Sequence, residues 1–110
     1  MNLSREQAIA EHRKMWNWIA DMTEKLNRKI EKDEYFTEME INNVPYLECY
    51  CCEFKRYNPN CCNECCIIDW GKDKGCMDSY YRKWGPTNDW QEAARLARII
   101  AELPERRIDE

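Results

Sequence analysis

Residues 4–34 read SREQAIAEHRKMWNWIADMTEKLNRKIEKDE. Apolar side chains recur at Ile9, Trp16, Ile19, Met22, Leu26 and Ile30, with His12 and Met15 in phase. Steps of three and four mark an amphipathic helix, because 3.6 residues make one turn. Ser4 and Gln7 form a capping-box pair at its start, and no glycine or proline interrupts residues 5–34. The pattern predicts one long helix over 4–34. A helix of about 28 residues would be about 42 Å long, so part of it must project, bend or pack on something besides a second helix. Trp16 and Trp18 lie about 200° apart on such a helix and are expected to flank the core stripe, with Trp18 a candidate for meeting a partner chain. Arg13, Lys14, Asn17, Asp21, Lys25, Arg28 and Glu31 occupy the opposite side, a mixture of signs that reads as a solvated face.

Residues 35–47 lose the helical period, and Asn42-Asn43-Val44-Pro45 is a turn signal. A second helix is predicted over 88–103. Asn88 or Asp89 caps it, and Trp90, Ala93, Ala97, Ile100 and Leu103 form its stripe. Pro104 stops it. Ala93, Ala94 and Ala97 are small enough to let the first helix approach closely, in antiparallel packing. The tail from Glu105 to Glu110 is charged and is expected to fray. Between the helices, residues 46–85 hold the cysteines among turn residues such as Asn58-Pro59-Asn60 and Gly71, and read as loops, tight turns and a short hairpin. The expected fold is mainly α, a single domain over 1–110. Its long N-terminal and C-terminal helices pack together, with an irregular zinc-knuckle insert between them.

The chain has 110 residues, of which 35% are charged, with a net charge of −4 and a mean hydropathy of −0.90. Five Trp and six Tyr offset that polarity, so the core must be largely aromatic. A small polar chain of this kind needs a staple. The N-terminus runs straight into charged helical sequence without the apolar stretch of a secretory signal. No apolar run approaches the roughly 18 residues of a membrane span. These features point to a cytoplasmic protein with no membrane association. There, clustered thiols more often bind metal than form structural disulfides.

Eight cysteines supply the candidate staple. Cys49-x-x-Cys52 and Cys62-x-x-Cys65 are two C-x-x-C pairs, the arrangement a tetrahedral Zn2+ requires. Each pair reaches one ion from a single turn, and the intervening loop folds one pair onto the other. The pattern is degenerate, since Cys76 is able to replace Cys49. Four of Cys49, Cys52, Cys62, Cys65 and Cys76 are therefore the expected ligands of one structural zinc, with two zinc ions sharing all eight thiolates, an iron–sulfur cluster and structural disulfides as the alternatives. Cys51, Cys61 and Cys66 read as small buried fillers. No catalytic reading emerges. The lone histidine, His12, is remote in sequence from the cysteines and reads as a core residue. Four thiolates leave a zinc ion no open position for water, and no nucleotide-binding loop is present. The expectation is a protein without enzymatic activity.

The run Glu11-His12-Arg13-Lys14-Met15-Trp16-Asn17-Trp18-Ile19 is followed by Cys49-x-x-Cys52-Glu53-Phe54, Cys62-x-x-Cys65, Asp69-Trp70, Cys76 and Tyr81-Arg82-Lys83-Trp84. In this order the chain resembles a group of small, Cys-rich proteins from phages and prophages of Gram-positive bacteria, over about residues 5–103. The resemblance implies a zinc-binding accessory protein in the host-cell cytoplasm, favours the same five cysteines, and makes a host protein, including a defence factor, the expected partner. Aromatic residues anchor interfaces, and Trp18, Tyr50, Tyr57, Trp70 and Trp84 are the candidate partner-binding residues of such an inhibitor or adaptor. The alternative is a nucleic-acid-binding zinc finger. Lys55-Arg56-Tyr57 and Tyr80-Tyr81-Arg82-Lys83-Trp84 mix basic and aromatic residues suited to phosphate and base contacts, but the acidic balance opposes it. Pairing of the long helix with a two-fold mate would give a homodimer.

Overall fold

A computed structural model describes residues 3–56, 67–71 and 79–106. Among the described residues five α-helices occur in chain order: α1 (Arg5–Leu26), α2 (Lys32–Glu38), α3 (Tyr50–Arg56), α4 (Tyr80–Trp84) and α5 (Trp90–Glu102), with a 3-10 turn at Tyr46–Glu48 before α3. The expected mainly helical architecture is present, with the N-terminal helix packed on the C-terminal one. The α1 cap forms as the sequence suggests. Ser4 Oγ accepts the Gln7 N–H at 3.1 Å while Gln7 Oε1 accepts the Ser4 N–H at 2.9 Å. Asp89, not Asn88, caps α5, its Oδ1 accepting the Gln91 N–H at 3.0 Å.

α1 and α5 run antiparallel. Arg5 pairs with Glu105 near one end, the Arg13 guanidinium donates to the Leu103 carbonyl, and Arg98 bridges Asn17, Asp21 and Glu24 toward the other. Ala93, Ala97 and Ala101 are buried against the α1 stripe of Ala8, Ile9, Met15, Trp16, Ile19 and Ala20. Their small side chains are what admits the close approach.

The single helix expected over 4–34 is instead two. α1 ends at Leu26 because Asn27 takes the left-handed conformation, φ 54°, which asparagine tolerates better than most residues at a helix C-terminus. Two contacts hold the reversal. Thr23 Oγ1 accepts the Ile30 N–H at 3.2 Å in the interior. Lys29 Nζ donates to the Trp84 and Gly85 carbonyls at 2.8 and 2.7 Å, above the Trp84 ring. Ile30 thereby reaches the core by a turn rather than on a projecting rod. Leu26, expected in the apolar stripe, is instead exposed at the end of α1, and Thr23 and Ile30 are the residues buried on either side of it.

The middle segment is also more helical than expected. Cys51 and Cys52 lie within α3 and not in a loop. The tail does not fray at its start. Ile68 and Glu105 form an antiparallel bridge, Arg106 N–H donates to the Ile67 carbonyl at 2.9 Å, and Asp69 N–H donates to the Pro104 carbonyl at 3.0 Å. Ile67 and Ile68 are buried, so this pairing seals one end of the core. Aromatic rings fill much of the rest. Trp16 meets Trp84 edge-on at 4.9 Å and Tyr81 at 5.9 Å.

Candidate functional site

The site grows from the start of α3. The first N–H groups of a helix lack acceptors within it, and here Cys52 N–H donates to Cys49 Sγ at 3.2 Å. Cys49 stands just before the helix and Cys52 in its first turn, so the C-x-x-C spacing folds both residues into the wall of one cavity. The Cys49 thiol is held well below its ordinary pKa, chiefly by hydrogen bonding from Cys51 and then Cys52. The Cys52 backbone N–H adds to this, while burial opposes it.

His12 comes from α1 and is buried, 2% exposed. Its Nδ1 lies 3.5 Å from Cys51 Sγ, and its ring meets Trp70 edge-on at 6.0 Å. Burial pulls its pKa down to about 4, so the ring is neutral at pH 7. Its Nε2 has no hydrogen-bond partner among the described residues. His12 is remote from the cysteines in sequence but beside them in space, and Cys51, buried in the core as expected, also meets the imidazole. The helical period of α1 marked His12 as inward-facing; nothing in the sequence identified its neighbour.

The cavity measures about 550 Å³ and has aromatic walls from Trp16, Trp70 and Tyr81. Lys32 stands at its edge, its Nζ donating to Tyr81 Oη at 2.7 Å and to the Leu47 carbonyl at 3.3 Å. The turn beside the cavity is under backbone strain. Leu47 and Glu48 are successive left-handed residues, φ 57° and 52°, a conformation in which the Cβ crowds the following carbonyl. The buried carboxylate of Glu53 fixes the turn by accepting the Tyr46 N–H at 2.6 Å. The result presents Val44, Tyr46 and Leu47 to solvent, Leu47 at 65% exposure. No sequence signal marked this turn beyond Val44-Pro45 punctuation.

Among the described residues, no group of three or more His, Cys, Asp or Glu side chains is arranged to hold a metal ion. The expected ligands Cys62, Cys65 and Cys76 lie outside the described residues. Cys49 and Cys52 have the chemistry of half a tetrahedral site: two sulfurs on one cavity wall, one of them with a lowered pKa and bonded by a backbone N–H. They fit zinc as one knuckle of two.

The candidate partner-binding aromatics fare differently. Tyr50, Trp70 and Trp84 are buried and serve the core rather than the surface, because the charged chain has few aliphatic residues to fill it. Trp18 is half-buried, edge-on to Tyr35 at 5.5 Å. Tyr57 lies outside the described residues. The burial of Trp84 also removes the stacking residue from the basic Tyr80–Trp84 helix. Among the described residues no helix is long and apolar enough to cross a membrane. No family model, curated protein or solved structure matches the chain.

Proposed function

We propose that the protein is a small, zinc-stabilised protein-interaction module and not an enzyme. In this reading Zn2+ is held by Cys49 and Cys52 together with two of Cys62, Cys65 and Cys76, and its role is structural. When bound, it would supply charge neutralisation for the thiolates and a cross-link for the chain. The setting is that of a phage accessory protein in the host cytoplasm that binds and inhibits a host protein.

The observation that carries the interaction reading is the turn before α3. A leucine held left-handed and 65% exposed is costly twice over, in backbone strain and in apolar surface left to water. Strain that neighbours actively maintain, as Glu53 does here, is found where function needs it. The turn therefore replaces the buried aromatics as the docking surface. Leu47→Glu should leave folding and metal content unchanged and abolish association. Loss of zinc or of helicity in that variant, with association retained, would remove the turn from consideration.

A further inference from the structure

The turn has opposite charge on its two sides. The hollow on one side is lined by Tyr46 and Leu47 with Lys55 and Arg56. The hollow on the other is lined by Phe36 and Val44 with Asp33, Glu40 and Glu48. A ridge of exposed apolar residues separates a basic hollow from an acidic one.

We propose that the occupant of this turn is a second copy of the same chain, related by a two-fold axis, with the Leu47 ridge of each copy seated in the acidic hollow of the other. This rests on the reading of the turn as a docking surface. The charge arrangement is the argument for a second copy. In a two-fold interface a patch meets itself reversed, so a surface that is basic on one side and acidic on the other complements itself twice over. Arg56 and Lys55 of one copy face Glu40 and Glu48 of its mate, and the same contact repeats across the axis. A partner of one sign, such as a nucleic acid or an anionic membrane, would be attracted to one hollow and repelled by the other. Any host protein then meets a paired module.

The full chain should sediment as a dimer in rapid, concentration-dependent equilibrium. Leu47→Glu should weaken that dimer at least about tenfold, as expected for a central apolar anchor. Charge reversal gives the sharper test. Lys55→Glu/Arg56→Glu makes both hollows acidic, and Glu40→Lys/Glu48→Lys shifts both toward basic, so each variant alone should be monomeric. An equimolar mixture restores opposite signs at both contacts and should dimerise. A wild-type chain that stays monomeric at every concentration overturns the proposal. So does a mixture of folded charge variants that fails to pair. A photo-crosslinker at position 47 gives a readout free of charge reversal. A two-chain adduct supports the proposal. An adduct only with an unrelated polypeptide overturns self-association and leaves the turn as a docking surface. No adduct overturns both.

Discussion

The single histidine makes one prediction unusually clean. His12 is protonated near pH 6.5 in the unfolded chain and only near pH 4 in the folded one, because burial penalises the charged ring. Between those values the unfolded chain holds more proton, so acid favours unfolding. The contribution of the neutral ring is complete above pH 6.5 and is lost as pH falls toward 4. Across the whole window the shift corresponds to about 3 kcal/mol at 1.36 kcal/mol per pKa unit. At pH 5 the two titration curves give a loss of about 2 kcal/mol, or a fall of about 8 °C in melting temperature for a chain of this size.

Urea unfolding of the full chain at pH 7, 6, 5 and 4.5 measures the slope, and the ring-proton resonance of His12 reports its titration directly. The chain contains one histidine, so no assignment is needed. Carboxylates begin to titrate at the bottom of the window, and His12→Gln isolates them. That variant should be less stable at pH 7 but should lose little further stability between pH 6.5 and 5. A ring resonance that titrates near 6.5 in the folded protein would refute the burial argument. A His12→Gln variant with the wild-type slope would refute the assignment to His12.

Three further perturbations test other parts of the same structure. Ile30→Ala, at a fully buried site after the α1 reversal, should cost about 2–5 kcal/mol in denaturant unfolding; a cost below about 1 kcal/mol would mean that the turn collapses without loss. Glu53→Ala removes the acceptor of the Tyr46 N–H and should cost about 1–2 kcal/mol, with faster amide exchange at Tyr46 as the local readout. Metal analysis of freshly purified variants tests the knuckle. Cys52→Ser and Cys62→Ser should lose zinc while Cys51→Ser keeps it, and a full equivalent retained by Cys62→Ser would contradict the ligand assignment.

The start of α1 and the ends of α5 were legible because their cues are local, whereas α3 and α4 fall where the sequence read as loops and turns. Ser4–Gln7, Asp89–Gln91 and Pro104 mark ends with their own side chains or ring, and the α5 stripe closes within four turns. The break at Asn27 was not legible in that way. Its cause is tertiary: Thr23, Lys29 and Ile30 have partners far along the chain or in the interior that make the reversal worth its left-handed residue. Hydrophobic period alone sees Leu26 and Ile30 on one face and reads straight through. The aromatic residues were misplaced for the opposite reason. Their excess suggested an interface, but a chain with this much charge must build its interior from the rings it has. Of the aromatics offered for an interface, Tyr50, Trp70 and Trp84 were needed inside, beside Trp16, whose place in the helix stripe was legible.

At the candidate site the spacing of Cys49 and Cys52 was readable and the setting was not. A C-x-x-C motif in a zinc finger commonly folds only when metal supplies the core that the sequence lacks. Here the knuckle is attached to a core that exists beside it. Tyr50 and Cys51, adjacent to both cysteines, are buried with Phe36, Trp70 and His12 in the cluster that α1 and α5 share. In the proposed zinc-bound form, removing the metal would take away a cross-link and leave Cys49 to be held by Cys51 and Cys52. α1 and α5 should then keep their packing, and the first protection lost should be at the Cys52 amide, whose bond to Cys49 Sγ orients the pair. Zinc in this chain would tune the edge of a fold that its aromatic core already defines, and the exposed turn of Leu47, tied to the same helix through Glu53, is where that tuning would reach a partner.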